Sequence, residues 1–239
     1  MLEQFQAITL DCWQTLLDGE STELERHCFR VSAMHEKLQN RGISVPKERL
    51  SRALRDVAEE AHLRRRTTCL ETAPNNQVIW LIDGLGLVRS PDLEEDLLEP
   101  YANAGLRVLP ALLPGVAEAL PRLARFPLGL ICNTGVTPGT VVRKILAARG
   151  LLRWFSAVIF SDEIGVSKPH ERIFAEALRS LGVNVPRDVL HVGDDLETDV
   201  AGAIRAGMRP VWLNPSTNQP LPAALTVSNL PALCSQLGL

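Results

Sequence analysis

Val189-Leu190-His191-Val192-Gly193-Asp194-Asp195-Leu196-Glu197-Thr198-Asp199 is the stretch on which the reading of this chain turns. A short apolar run ends in a Gly-Asp-Asp turn and leads into a helical pattern from about Thr198 to Gly207. Far upstream, the apolar run Ala7-Ile8-Thr9-Leu10 likewise ends in a carboxylate, Asp11. Two carboxylates leaving the ends of two expected strands can meet at one edge of a parallel sheet, and open α/β sheets bind their ligands at that edge. Such a pair can hold a hard cation or present a nucleophile. Either aspartate alone reads as a helix cap or turn residue, because Asp favours those positions for local reasons. Their order and context favour the shared site.

Outward from this pair, the chain changes character twice. From about Asp18 to Arg107 strand-like runs are few and helical patterns dominate, over Glu20–Asn40, Pro46–Arg66, Asn75–Leu85 and Pro91–Ala104. Arg41-Gly42 with Pro46 beyond supplies a stop for the first of these. After Leu109, strands expected at Leu128–Cys132, Ala157–Phe160, Val189–Val192 and Pro210–Leu213 alternate with helices at Pro114–Arg125, Pro138–Arg149, His170–Leu181 and Thr198–Ala206. A short apolar run at Leu225–Val227 and a helix near Leu230–Leu237 complete the tail. Alternation of this kind gives a parallel sheet covered on both faces. The expected fold is therefore α/β, a doubly wound parallel-sheet core (residues 1–17 and 108–239) with an inserted all-helical cap (residues 18–107). The cap is expected to join the core through two linkers near Leu17 and Leu109 and to move as a lid.

The bulk properties narrow the function. Of 239 residues, 46% are hydrophobic and 22% charged, enough for a sizeable core. The formal net charge is -3, and the one basic tract is Arg64-Arg65-Arg66, which excludes the footprint of a nucleic-acid binder. Five scattered cysteines without a Cys-x-x-Cys pair suit free thiols in a reducing compartment. Glu3 stands where a signal peptide would be basic or apolar, and no apolar run reaches the roughly 18 residues of a membrane span. The expectation is a cytoplasmic protein acting on a small molecule, with no nucleic-acid or membrane partner.

Four segments fall at expected strand ends: Asp11-Cys12-Trp13-Gln14-Thr15-Leu16, Cys132-Asn133-Thr134-Gly135, Lys168-Pro169, and Gly193-Asp194-Asp195 with Asp199. In this order, with a helical segment between the first two, the chain resembles the haloacid dehalogenase-like (HAD) hydrolase superfamily of the helical-cap class, along essentially its whole length. The resemblance implies an aspartyl nucleophile at Asp11 and an anion-neutralising Lys168. It implies a Mg2+ site made by Asp11, Asp194 and the Trp13 backbone carbonyl. Asp199 would hold the lysine ammonium, and Asp195 would either join that outer shell or cap its helix. Thr15 would steady the nucleophile loop or touch substrate, and Cys132 with the Asn133 amide would face the substrate anion.

Two positions depart from the family pattern. Its phosphatases carry an aspartate two residues after the nucleophile, acting as general acid and base; here the residue is Trp13. Indole offers one N–H and no titratable proton, and general acid–base groups contribute typically ~10²–10⁴-fold. Cys132 replaces the usual Ser or Thr, and a thiol donates weakly; with no histidine partner in view it is a poor nucleophile candidate. An aromatic near the nucleophile is similar to the 2-haloacid dehalogenases, but those replace the acidic pair that Asp194-Asp195 keeps here. The expected function is Mg2+-dependent hydrolysis of a small phosphate ester or anhydride, weakened by Trp13. The alternatives are a 2-haloacid-dehalogenase-like C–X hydrolase, or a phospho-ligand-binding protein with little turnover.

Overall fold

The computed structural model describes residues 5–214 and 225–239. Glu3, which bears on the expectation about a leader, lies outside them. In chain order the elements are β1 (Ala7–Leu10), α1 (Glu23–Asn40), α2 (Lys47–Thr68), α3 (Pro74–Gly84), α4 (Pro91–Arg107), α5 (Val116–Leu123), β2 (Leu128–Cys132), α6 (Gly139–Ala148), β3 (Ala157–Phe160), α7 (Ser161–Ile164), α8 (Glu171–Leu181), β4 (Val189–Gly193), α9 (Ala201–Arg205), β5 (Arg209–Leu213), β6 (Leu225–Val227) and α10 (Leu230–Gln236). Among the described residues the strands form one six-stranded sheet in the order β3-β2-β1-β4-β5-β6, every pair parallel.

From β1 the chain builds outward through β2 to β3, then crosses back to add β4 on β1's other side. This reversal places the C-terminal ends of β1 and β4 side by side at the switch point of the sheet, where ligands bind. Side chains alternate across β1 and β4 and so feed two cores. Ile8, Leu10 and Val192 pack on one face, Ala7 and Val189 on the other. Both faces are covered, which is why these strands read as continuous apolar runs.

Residues 18–107 carry α1 to α4 and their own apolar core, in which Met34, Leu38, Leu50 and Leu81 are completely buried. Each such side chain contributes about 2 kcal/mol by leaving water. The first helix starts three residues later than its pattern suggests, because the Asp18 carboxylate accepts from the Glu20 and Ser21 amides, both at 3.0 Å, and holds a turn there. Pro100 sits inside α4, which continues through it to Arg107.

The expectation that this insertion meets the core only at two linkers needs correction. Its segment Cys69–Glu71 pairs with core residues 165–167. Leu70 bridges Val166, the Glu71 amide donates to Gly165 O (3.2 Å), and the Ser167 amide donates to Cys69 O (2.9 Å). On α3, Gln77 Nε2 donates to Gly135 O at 3.2 Å, and Tyr101 Oη donates back to Gln77 at 2.7 Å. Nothing in the helical periodicity of residues 47–85 advertises a strand-like contact made by three residues between helices.

Candidate active site

Lys168, 2% exposed, is the hub of the site. Its Nζ lies 2.5 Å from Asp11 Oδ1 and 2.5 Å from Asp199 Oδ1. Asp11 is set by the sheet itself, its amide donating to Val192 O at 2.8 Å across the β1–β4 seam. Carboxylate oxygens of Asp11, Asp194 and Asp199 lie within 4.8 Å of one another, so three acids from β1, β4 and the turn after β4 converge where a metal ion can be held. Trp212 Nε1 donates to Asp194 O at 2.9 Å and steadies the turn from β5.

That turn differs from the simple helix its sequence suggests. Leu196–Val200 forms a π-helical turn before α9, with the Val200 amide reaching back to Asp195 O at 3.2 Å. The Asp195 carboxylate is spent as a cap on the Glu197 and Thr198 amides (2.9 and 2.7 Å). Only its amide joins the buried network, donating to Asp199 Oδ2 at 3.1 Å. Of the two roles left open for its side chain, the geometry is that of the cap. Gly193 allows Asp199 to fold in: a Cβ there would lie 2.2 Å from the Asp199 carboxyl carbon.

His191 completes the cluster and was not assigned from sequence, although a histidine inside an apolar strand must find partners. Its Nε2 is 3.2 Å from Asp199 Oδ1, and its Nδ1 is 2.9 Å from the hydroxyl of Thr9, its register partner on β1. An ionised carboxylate only accepts. Nε2 therefore carries the proton, and Nδ1 accepts from Thr9. Burial lowers the His191 pKa, which keeps the ring neutral.

One ammonium serves two buried carboxylates, and they fare differently. Burial opposes charge on Lys168, but Asp11 and Asp199 outweigh it and hold the lysine well above its ordinary range. Burial also pushes Asp199 upward, yet Lys168 and His191 together take it far below the usual carboxylate range. For Asp11 burial wins: with repulsion from Asp199 it offsets Lys168 and raises the pKa to about 6. Asp194 lies farther from help, and burial, then Asp11 and Asp199, raise it to about 7. Such crowding of like charge is what a cation relieves, so the donor set fits a hard metal.

The loop after β2 grips the lysine. Asn133 Oδ1 accepts from the Lys168 amide at 2.8 Å and Nδ2 donates to the Lys168 carbonyl at 3.1 Å. The Thr134 amide is committed to Ser161 Oγ (2.9 Å), which in turn donates to Glu71 Oε2 of the insertion at 2.5 Å. Cys132 lies in the core, its thiol directed at the Asn133 carbonyl (3.6 Å), and burial pushes its pKa well up. A protonated, enclosed thiol is no nucleophile. Thr15 is 1% exposed, and its hydroxyl has no partner among the described residues. The Trp13 ring packs over Gly19, whose added Cβ would stand 3.1 Å from it. The Lys168–Pro169 peptide is cis.

A family model described as haloacid dehalogenase-like hydrolase matches residues 5–207. The chain is 32% identical over 208 residues to a glyceraldehyde 3-phosphate phosphatase of Methanopyrus kandleri, covering 85% of this chain and 81% of that one. Among solved structures, a 2-haloacid dehalogenase from Pseudomonas syringae superposes with a TM-score of 0.68 at 26% identity, over 98% of this chain and 99% of the other. A HAD phosphatase from Thermococcus onnurineus gives 0.63 at 26% identity over 98% of both.

Proposed function

Because this chain belongs to the haloacid dehalogenase-like hydrolases, we propose that it hydrolyses small phosphate esters or anhydrides with Mg2+, through a covalent intermediate on Asp11. The observation that carries this reading is the shared lysine. Lys168 is buried, charged and bound to Asp11, while Asp194 adjoins with no cation of its own among the described residues. A site that leaves one carboxylate cluster short of positive charge suits a metal-dependent phosphoryl transfer better than halide displacement from a haloacid, whose own carboxylate Asp194 would repel.

In this reading an Asp11 oxygen attacks phosphorus and the bond to the leaving oxygen breaks, giving an aspartyl phosphate and an alkoxide, phenolate or carboxylate, which takes any proton it needs from water. Water then attacks phosphorus, releasing inorganic phosphate and restoring Asp11. Lys168 neutralises charge on the transferring group, and Asn133 holds the lysine backbone and offers its amide to the anion. Asp11, Asp194 and the Trp13 carbonyl would hold Mg2+, which supplies charge neutralisation for the phosphoryl oxygens. Residues 18–107 would serve as the cap that excludes water, and Cys132 and Thr15 would border the anion. Trp13 cannot protonate a departing alkoxide, so good leaving groups such as acyl and aryl phosphates should turn over best.

A substrate panel tests this directly: p-nitrophenyl phosphate, acetyl phosphate and a 2-chloro acid, each with Mg2+ and with chelator. Hydrolysis of the two phosphates that stops with chelator, and is lost in Asp11→Asn, is expected. Halide release from the chloro acid, unaffected by chelator, would replace this reading with C–X hydrolysis. That second reading rests on the aromatic Trp13 and the dehalogenase-like superposition. Tight phosphate-ester binding without turnover would point instead to a ligand-binding role.

A further inference from the structure

A cleft of about 260 Å³ runs from Lys168 and Asn133 up to His62, Arg65 and Arg66 at the end of α2. Building on the phosphate-ester reading, we propose that Arg65 binds a second anionic group of the substrate, a carboxylate, which makes small phosphorylated carboxylic acids the preferred substrate class.

The other charges lining this cleft are already matched. Arg66 pairs with Glu197 at 3.2 Å, both more than half exposed. Asp195 caps its own helix with two amide contacts. Arg65 differs. It donates to His62 Nδ1 at 3.1 Å, and its ion pair with Glu71 Oε1 is 3.6 Å long, beyond hydrogen-bond reach. A guanidinium carries five N–H donors in a fixed fork suited to a carboxylate, so most of the fork remains for a ligand. Because arginine only donates, His62 Nδ1 must be the unprotonated nitrogen, and burial together with Arg65 and Arg66 lowers that histidine's pKa.

A basic run at a helix C-terminus also complements the helix dipole. That explains Arg64 and Arg66, which face solvent, but not the inward turn of Arg65, the partly buried member of the triplet. Glu71 accounts for the turn. Its side chain is 1% exposed, Oε2 is taken by Ser161, and Oε1 has no hydrogen bond. The orphaned oxygen draws the guanidinium over Gly135, where an added Cβ would lie 3.2 Å from Arg65 Nη1. The guanidinium is thus anchored above the loop that grips Lys168, where Arg65 lines the cleft. Pockets for drug-sized ligands run from about 300 Å³ upward, so this cleft is of a size that suits a chain of a few carbons between phosphate and carboxylate.

The test is equilibrium binding, by calorimetry, of 3-phosphoglycerate and glycerol 3-phosphate to the Asp11→Asn protein with Mg2+. The two probes differ in the carboxylate. 3-Phosphoglycerate should bind more tightly, and Arg65→Ala should weaken it by about 10- to 100-fold, the range of one or two charge-assisted hydrogen bonds. Glycerol 3-phosphate should change by less than about 3-fold, and Arg65→Lys should recover part of the loss. Equal affinity for the two probes, or an equal loss of both in Arg65→Ala, overturns the proposal and leaves Arg65 as a partner of Glu71. If Arg65→Ala unfolds, Arg65→Lys alone decides, since losing the fork must still hurt 3-phosphoglycerate more. Turnover of p-nitrophenyl phosphate by the wild type reports separately on the phosphate-ester reading, because that ester has no second anion.

Discussion

The carboxylate half of the site and the ammonium half are built in different ways. Asp11 and Asp194 leave adjacent strands, and sheet hydrogen bonds such as Asp11 N to Val192 O position them with little outside help. Lys168 sits on a loop, held from one side by Asn133 and from the other by the Ser167–Cys69 and Leu70–Val166 contacts to the helical insertion. Glu71, Ser161 and Thr134 extend that second support to the loop after β2. On the proposed function, the difference implies that cation affinity would be a property of the sheet edge, whereas anion affinity would depend on the insertion staying docked.

The largest expected effect breaks the two halves apart. Asp194→Ala should weaken Mg2+ binding by at least ~10²-fold in calorimetry, because it removes one of few carboxylate ligands. Glu71→Ala should leave Mg2+ affinity within about 2-fold. It should raise KM for p-nitrophenyl phosphate by roughly 10-fold, since Ser161 loses its acceptor in the insertion and the loop after β2 loosens, and Glu71→Gln should recover most of that. Loss of Mg2+ binding in Glu71→Ala would erase the distinction. The same contacts bear on the lid expectation: hydrogen exchange at residues 69–71 and 165–167 should rise and fall together.

A smaller effect sharpens the cation half without changing its ligands. Trp13→Asp should raise turnover of alkyl phosphates by at most ~10²-fold, the low end of general-acid effects, and aryl phosphates much less, because p-nitrophenolate leaves unaided. A cavity where the indole packed over Gly19 will offset part of the gain. A folded Trp13→Asp protein that binds Mg2+ and gains nothing on alkyl phosphates would count against the expectation that a missing acid limits turnover.

The smallest effect is on stability. Burial, then Asp11 and Asp199, raise Asp194 from 3.8 to about 7, so the folded metal-free protein holds that proton more tightly than the unfolded chain. Its contribution to stability therefore falls as pH rises from about 4 to 7. Metal-free wild type should lose a few degrees of Tm between pH 5 and pH 8 relative to Asp194→Asn, and Mg2+ should restore them at pH 8. A Tm difference that stays constant across this range would remove the basis for calling Asp194 crowded.

The periodicity of the chain was sufficient for the alternating core, the helical insertion and the expected strand spans, because both faces of each strand and one face of each helix must be apolar wherever they pack. Asp11 and Asp194 were legible as a pair because strand ends in a parallel sheet have one edge on which to meet; Lys168 and Asp199 joined them only through the family resemblance. Three things were beyond its reach. His191 bonds Thr9 and Asp199 only because β1 and β4 are neighbours, an order that strand patterns do not encode. Which of its two open roles the Asp195 carboxylate takes was decided by the folded turn, where it caps the Glu197 and Thr198 amides. Cys69–Glu71 gained their places from contacts with a segment nearly a hundred residues away, and Arg65 gained its place from Glu71 and the loop at Gly135. Local sequence determines which face of an element is apolar and where it ends; which elements become neighbours, and so which polar groups are buried together, is decided only when the whole chain packs.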